Sequence, residues 1–412
     1  MRGAWALVTT VPLLLVTVTL PAAPAAAAPG CGTAPGPAVG SPTVPAGGAP
    51  WPVLRYAPQR LAGIADGAGI TVAVLDSGVD ATIAPLRDRV LPGADELDGG
   101  DGRLDCVGHG TAVASIIAAS ATGTGFAGLA PGARILPVRV TETVDAGGTP
   151  TGRAGSVAGL VTAIRWSVAH GARVLNLSLV LYQDAPALRD AVADALAKGV
   201  VVVAAVGNGH IGSGGSAGTQ DGDPTPYPAG YPGVIGVGAV GADGQRSPTS
   251  PVGTFVDIVA PGAAVPALTR GGQLVDLDGT SFAAPFVAAT AALILGREPG
   301  LRPDEVTRRI VDSADPSPDG PHSNGYGAGI LNPYRAVTEE HPTDGSGRPS
   351  PVGTVAVPGG VPVAPGAAVV PAGGGGRAGR LAGAGAVLAM LVTLAAVVLP
   401  RGARRAWRPG RT

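Results

Sequence analysis

Apolar runs that alternate with helical patterns between about Gly69 and Val337 are the feature that most constrains the fold of this chain. The runs are continuous and rich in β-branched residues, as expected of parallel strands that are buried on both faces. Apolar residues recur at helical spacing between them, over residues 157–168 and 188–196. This alternation predicts a doubly wound α/β domain. The predicted strands are residues 70–76, 133–140, 172–180, 199–208, 234–240 and 254–262, and residues 149–159 and 209–230 are predicted surface loops.

Two polar residues are expected at one edge of this sheet. Asp76 ends the first predicted strand, and Asn208 ends the valine-rich fourth strand. In open α/β sheets, functional groups collect beyond the carboxyl ends of the strands, so both residues are candidates for a site. Each also has an ordinary explanation, because Asp-Ser-Gly and Asn-Gly are common turn sequences.

Two further motifs place reactive side chains at predicted helix starts. His109 stands between two glycines in DCVGHGTAVASIIAA, and Ser281 follows a Gly-Thr pair in DGTSFAAPFVAA, where Thr280 or Ser281 could also be a simple helix cap. A serine hydroxyl becomes a nucleophile only beside a base that an acid orients, and His109 and Asp76 can take these roles. The Ser281 N–H and the Asn208 amide could stabilise an oxyanion.

The rest of the composition excludes several kinds of site. The other four histidines lie in Gly-, Pro- or loop-rich contexts and are predicted to be solvated or to cap helices. Since no metal-ligand spacing is visible, neither a metal nor another cofactor is predicted. The formal net charge of -1 does not suggest a nucleic-acid partner.

Both ends of the chain carry apolar segments. Met1-Arg2, an apolar stretch and small residues up to Ala28 predict an export signal; an uncleaved anchor helix is the alternative. Residues 381–399 carry no charge. As a helix they would span roughly 28 Å, close to the hydrocarbon thickness of a membrane. Because arginines are denser after this run, a cytoplasmic C-terminus is predicted; a buried core helix is the alternative.

The chain has two cysteines, Cys31 and Cys106. An even pair in an exported protein predicts one disulfide, which would tie the N-terminal extension to the folded body. Two free thiols are the alternative.

The motifs VAVLDSGVD, GHGTAVASIIA and GTSFAAPFVAA occur in the order Asp, His, Ser and together resemble the signature motifs of the subtilisin-like serine proteases. The resemblance implies a mainly parallel sheet with helices on both faces. It implies that Ser281 is the nucleophile, that His109 is its base, that Asp76 orients His109 and that Asn208 lines the oxyanion hole. It also implies backbone pairing of an extended substrate with Leu177, Ser178, Leu179, Ala205, Val206 and Gly207.

The layout beyond these motifs is similar to that of the mycosins, the membrane-anchored subtilases of actinobacterial type VII secretion systems. The shared features are a Pro-rich extension with one cysteine, a second cysteine just before the histidine motif, a Pro/Gly linker, a terminal apolar segment and a basic tail. The resemblance implies an extracytoplasmic serine endopeptidase at the cell membrane that cleaves protein or peptide substrates and associates with a type VII secretion complex. The alternatives are a mainly structural stabiliser of that complex and an anchored general protease.

The chain departs from the family in two ways, and calcium binding is a third point of comparison. Leu179 and Val180 stand where many subtilases are glycine-rich, so the pocket for the substrate is expected to be shaped differently. Mycosins often have a second disulfide, which two cysteines cannot form. Some subtilases bind calcium, and the acidic stretch 93–105 is a weak candidate, but a solvated acidic loop is the preferred interpretation.

The predicted domain organisation follows from these segments. It comprises a signal peptide (1–28), a Pro-rich extension (29–61), a subtilisin-like peptidase domain (62–340), a Pro/Gly-rich linker (341–380), a transmembrane helix (381–400) and a basic cytoplasmic tail (401–412).

Overall fold

A computed structural model describes Cys31, Ser41–Pro42 and residues 50–121, 126–146, 149–210, 222–320 and 322–339. The predicted signal peptide, linker, transmembrane helix and basic tail lie outside these residues. Within them, the strands are β1 Ser41–Pro42, β2 Thr71–Asp76, β3 Ala94–Asp95, β4 Arg134–Arg139, β5 Val144–Ala146, β6 Thr149–Thr151, β7 Val174–Leu177, β8 Val201–Ala205, β9 Ile235–Val240, β10 Ile258–Pro261, β11 Val265–Leu268 and β12 Leu274–Leu277. The α-helices are α1 Trp51–Tyr56, α2 Pro58–Leu61, α3 His109–Ala118, α4 Val157–Ala169, α5 Pro186–Ala197, α6 Thr280–Arg297, α7 Pro303–Asp312 and α8 Pro333–Thr338.

The central sheet has seven strands in the order β3–β4–β2–β7–β8–β9–β10, and every pairing within it is parallel. The first strand of this sheet along the chain, β2, lies in the interior of the sheet. β3 and β4 then extend the sheet on one side of β2, and β7 to β10 extend it on the other. The strand order therefore reverses at β2, which is where ligands bind in doubly wound folds.

Helices cover both faces of this sheet. Along β2, Val72 and Val74 join a core with α3 and α6, whereas Ala73 and Leu75 join a second core with α4 and α5. This alternation follows from the period of two along a strand. All six predicted strands are present and are buried on both faces, so the expected α/β fold is confirmed.

Helix α6 is the central element of the first core. Its residues from Phe282 to Leu295 are buried, and the many alanines among them allow close packing against α3, β8 and β9. Of the helices that the structure describes, α6 alone is long and apolar enough to cross a membrane. Because 83% of its apolar window is buried inside the domain, it is a core helix.

The N-terminal extension contacts the domain in its described parts. β1 pairs antiparallel with β12 in a small three-stranded sheet with β11. The Trp51 indole N–H donates to the Ala264 carbonyl oxygen at 2.9 Å, and Val53 and Tyr56 of α1 are buried. Cys31 and Cys106 form the predicted disulfide.

Some predicted boundaries were wrong. Residues 149–159 were predicted as a loop, but they contain β6, paired with β5, and the start of α4. Only residues 258–261 of the predicted strand 254–262 form a strand. A turn precedes them, in which the Val256 N–H donates to the Gly253 carbonyl oxygen. In the predicted strand 172–180, β7 ends at Leu177, because the Ser178 hydroxyl bonds to Ser281 at the start of α6.

Removal of the disulfide is expected to destabilise the protein. Cys106 is buried beside the histidine motif, and the bridge closes a loop with a sequence separation of 75 residues. Loss of that constraint on the unfolded chain corresponds to about 4 kcal/mol in the chain-entropy model. The Cys31→Ser/Cys106→Ser double variant should therefore unfold at a clearly lower urea concentration than the oxidised wild type. Equal midpoints would contradict the prediction, and the reduced wild type is the matched control.

Candidate active site

The carboxyl ends of three neighbouring strands and the starts of two helices meet at one edge of the sheet. Asp76 is the last residue of β2, Ser178 follows β7, and Asn208 lies just beyond β8. His109 is the first residue of α3 and Ser281 is the second residue of α6. The expected placement of Asp76 and Asn208 at strand ends and of His109 and Ser281 at helix starts is confirmed.

Asp76 and His109 form a hydrogen-bonded pair. His109 Nδ1 lies 2.7 Å from Asp76 Oδ1, which also accepts the Ser77 N–H at 2.7 Å. The Asp76 side chain is only 3% exposed, against 17% for His109. Asp76 Oδ2 is buried and has no hydrogen-bond partner among the described residues. A buried carboxylate with an unsatisfied oxygen favours positive charge on the imidazole beside it.

The protonation of His109 reflects this pairing. Burial on its own lowers the pKa of the imidazole, but the Asp76 carboxylate and its hydrogen bond outweigh that effect, and the Asp105 carboxylate acts in the same direction. The pKa of His109 is therefore raised above its ordinary value.

A second buried carboxylate, Asp105, fixes the start of α3. It accepts hydrogen bonds from the Gly108 N–H at 2.7 Å, the Thr111 N–H at 2.9 Å and the Thr111 hydroxyl at 2.6 Å. It also accepts the Ser77 hydroxyl at 2.9 Å, and the same Ser77 oxygen accepts the Gly110 N–H at 2.9 Å. Burial raises the pKa of Asp105 above its ordinary value despite these donors. Asp105 and Ser77 thus hold His109 in place beside Asp76.

Both glycines around His109 are required, Gly110 by the close approach of the β2 end and Gly108 by its backbone conformation. A methyl group on Gly110 would lie 2.1 Å from the Gly78 carbonyl oxygen and 3.1 Å from the Asp76 β-carbon. Gly108 has a φ of 83°, in the left-handed region that favours glycine. The expectation that glycines let the backbone crowd close at this helix start is confirmed.

Pro285 explains how Ser281 is held. Proline has no N–H, so it cannot donate to the carbonyl oxygen of the residue four positions earlier, which is Ser281. The Ser281 carbonyl oxygen instead accepts the Ser178 hydroxyl at 2.8 Å. The Ser178 hydroxyl oxygen in turn accepts from the Asn176 side-chain amide at 3.0 Å. The proline therefore lets the first turn of α6 bond to the end of β7.

The Ser281 hydroxyl donates to the Ser178 carbonyl oxygen at 3.4 Å. Among the residues that the structure describes, no hydrogen bond joins it to His109. A bond of this length is weak, and catalytic hydrogen bonds often tighten only when substrate is bound. The ring of Phe282, the next residue, packs on His109 with a centroid distance of 5.1 Å, which brings the two helix starts together.

Asn208 is bound to the turn before Ser281. Its Oδ1 accepts the Thr280 N–H at 2.9 Å, and the Thr280 hydroxyl donates to the Gly207 carbonyl oxygen and accepts the Gly207 N–H, both at 3.0 Å. A methyl group on Gly279 would lie 3.1 Å from Asn208 Nδ2. Because its oxygen is occupied, the side-chain amide of Asn208 is positioned as a donor beside the Ser281 turn.

The residues predicted to bind substrate fall into two groups. Leu177, Ala205 and Val206 are buried, and their backbones take part in sheet pairing. Ser178, Leu179 and Gly207 lie beyond the strand ends, and of these Ser178 bonds to Ser281 and Gly207 bonds to Thr280. Pairing of substrate with these residues stays a prediction.

The acidic stretch 93–105 is not simply solvated, contrary to the sequence interpretation. Arg139, at the end of β4, is 2% exposed and forms ion pairs with Asp95 at 2.7 Å, Asp98 at 2.8 Å and Glu142. Arg153 pairs with Asp98 at 2.7 Å and Glu142 at 3.1 Å. Within the described residues, no group of three or more His, Cys, Asp and Glu side chains is arranged to hold a metal ion.

Sequence reasoning missed the supporting residues of the site. Asn176, Ser77 and Thr280 are buried and bonded to predicted site residues, and Asp105 is buried and bonded to Ser77. A signal was present, because each is a polar residue inside or directly beside an apolar motif. The partners far along the chain, Asp105 for Ser77 and Asn208 for Thr280, could not be read from the sequence.

The subtilase family model matches residues 67–329 of the chain. Subtilisin DY from Bacillus licheniformis is 36% identical over 266 residues, which are 65% of this chain and 90% of that protein. Subtilisin Savinase from Lederbergia lenta is 34% identical over 289 residues, which are 70% of this chain and 98% of that protein.

Solved structures give the same assignment. MycP1 from Mycobacterium smegmatis superposes with a TM-score of 0.62 at 31% identity, covering 76% of this chain and 92% of that one. A serine protease MycP1 described as an essential component of the type VII (ESX-1) secretion system also superposes with a TM-score of 0.62. It is 34% identical, and the match covers 76% of this chain and 97% of that one. The fold is therefore subtilisin-like, and the chain belongs to the subtilase family of serine endopeptidases.

Proposed function

We propose that the protein is a mycosin-like serine endopeptidase, anchored to the cell membrane and serving a type VII secretion system, with Asp76, His109 and Ser281 as its triad. The 2.7 Å hydrogen bond between His109 Nδ1 and Asp76 Oδ1 carries the catalytic part of the proposal. It fixes the tautomer in which His109 Nε2 can accept a proton.

The proposed reaction is acyl transfer in two stages. Ser281 Oγ attacks the carbonyl carbon of the scissile peptide while His109 takes its proton, and Asp76 stabilises the resulting imidazolium. The Asn208 amide and the Ser281 N–H stabilise the oxyanion. His109 then protonates the leaving amine, and water, activated by the same imidazole, hydrolyses the acyl-enzyme.

The proposed reaction also gives a role to the hydrogen bond from the Ser281 hydroxyl to the Ser178 carbonyl oxygen. An extended substrate that pairs with the backbone after β7 would offer an N–H to that carbonyl oxygen. The substrate would then replace the 3.4 Å bond and release the Ser281 hydroxyl toward His109. Substrate binding would thereby complete the triad.

The wider role is supported by similarity and by the sequence ends. The relative described as an essential component of the type VII (ESX-1) secretion system covers most of this chain. The uncharged run 381–399 and the arginines after it favour a membrane anchor with the arginines on the cytoplasmic side and the catalytic domain outside. Protein or peptide substrates and the secretion complex are the proposed partners.

Ser281→Ala should abolish catalysis in the full-length protein. Loss of the nucleophile in subtilisin costs about a millionfold in kcat, and a similar loss is expected here. A fluorophosphonate probe should label wild type at Ser281, located by mass spectrometry, and should not label the variant. Ser317→Ala, in a turn outside the site, is the matched control and should be labelled like wild type. Labelling that persists in Ser281→Ala would refute the assignment.

The pH dependence should follow His109. Its pKa is raised by Asp76, and only the neutral imidazole can accept the Ser281 proton, so kcat/KM should fall as the pH drops through a value above the ordinary 6.5. Asp76→Asn removes the carboxylate and should move the His109 titration to lower pH. NMR titration of the His109 ring in the Ser281→Ala background measures this without activity, with the signal assigned by His109→Gln. An unchanged titration in Asp76→Asn would contradict the pairing.

A mainly structural role is the second candidate, favoured by the description of the MycP1 relative as a component of its secretion system. If proteolysis is the required function, Ser281→Ala should fail to restore secretion in a host that lacks the protein. If stabilisation of the complex is required, Ser281→Ala should restore secretion as well as wild type does, whereas deletion of 381–399 should not. Secretion should be measured together with the amount of each variant in the membrane fraction.

A further inference from the structure

Two side chains from the segment after β7 reach the segment that follows β8. A methyl group on Gly207 would lie 3.4 Å from a Val180 methyl carbon and 3.1 Å from the Tyr182 hydroxyl oxygen. A methyl group on Gly209 would lie 3.2 Å from the same hydroxyl. The segments that follow β7 and β8 are therefore bridged by Val180 and Tyr182.

These segments flank Ser281 on both sides. Ser178, two residues before Val180, bonds to the Ser281 carbonyl at 2.8 Å, and its own carbonyl accepts the Ser281 hydroxyl at 3.4 Å. Gly207 bonds to Thr280, the residue before Ser281, at 3.0 Å. A peptide whose carbonyl carbon reaches Ser281 Oγ must place the side chain of that residue between the two segments.

Val180 and Tyr182 are held there by the backbone between them. Leu181 and Tyr227 exchange two backbone hydrogen bonds, of 2.8 and 2.7 Å. Further along, the Tyr231 hydroxyl donates to Asp184 Oδ1 at 3.0 Å. The valine side chain is also stiff, because branching at its β-carbon restricts χ1. The bridge is thus a fixed wall between the segments.

We propose that Val180 and Tyr182 are specificity-determining residues that narrow the pocket for the substrate residue whose carbonyl is cleaved. The pocket accepts glycine or alanine at that position and rejects aromatic, long aliphatic and basic side chains. The proposal rests on the proposed role of Ser281 as nucleophile. Val180 blocks the space between the segments, and Tyr182, 55% exposed, covers it from the solvent side.

Paired aminoalkyl phosphonate diphenyl esters test this proposal on the full-length protein. They differ only in the side chain at the cleaved position, methyl in one and benzyl in the other, and the measured quantity is the ratio of their labelling rates. Wild type should favour the methyl probe at least about tenfold, because a pocket that cannot admit added carbons discriminates on that scale. Val180→Gly should lower this ratio by about tenfold or more, and Tyr182→Ala should lower it in the same direction.

Val311→Gly, at a half-buried valine of α7 outside the two segments, is the matched control and should keep the wild-type ratio. Equal or faster labelling of wild type by the benzyl probe would overturn the proposal, as would an unchanged ratio in a Val180→Gly protein that still reacts. Labelling with a small fluorophosphonate distinguishes failure of the specificity proposal from failure of the catalytic proposal. If it labels Ser281 while the ratios are wrong, only the specificity proposal fails, and if it labels nothing in folded protein, the catalytic proposal fails with it.

Discussion

The hydrogen bond between buried Asp76 and His109 is the interaction around which the rest of the site is arranged. It joins the end of β2 to the start of α3, and it forms only if that helix begins within contact distance of the strand end. Gly110 permits the approach, since any side chain there would meet the Gly78 carbonyl. Asp105 and Ser77 then fix the helix start with hydrogen bonds that do not involve the imidazole. The geometry of His109 is thus set by buried groups that solvent cannot replace.

Ser281, the proposed nucleophile, is positioned differently, by the incomplete first turn of α6. Pro285 leaves the Ser281 carbonyl without its usual helical partner, and Ser178 uses that acceptor to link α6 to the end of β7. On the other side, Thr280 bonds to Gly207 and Asn208, which follow β8. Ser281 therefore stands between two strand ends. The same arrangement that orients its hydroxyl also defines the walls of the space that a substrate side chain must enter.

Much of this could be predicted from the sequence, because the predictable parts are local. The apolar runs gave the strands, and the glycines and small residues around His109 and Ser281 indicated helix starts. The contacts that were missed, such as Ser178 with Ser281 and Ser77 with Asp105, join residues through the fold, and periodicity carries no information about them. Strand ends were predicted too long for a related reason: Ser178 has strand-like neighbours, yet its hydrogen bond to α6 turns the chain away from the sheet. The acidic stretch 93–105 was misjudged because its main partner, Arg139, lies on another strand within an apolar run.

Arg139 also bears on the Asp76–His109 pair itself. Arg139 is the register partner of Asp76 on the adjacent parallel strand, so both side chains leave the sheet on the same face. An unpaired guanidinium at that position would attract the Asp76 carboxylate and compete with His109 for it, because a buried ion pair is screened very little. Asp95, Asp98 and Glu142 surround Arg139 instead and engage its positive charge. The acidic cluster therefore engages Arg139 and leaves Asp76 to His109. Burial alone would lower the pKa of the His109 imidazole, but the Asp76 carboxylate, its hydrogen bond and Asp105 raise it.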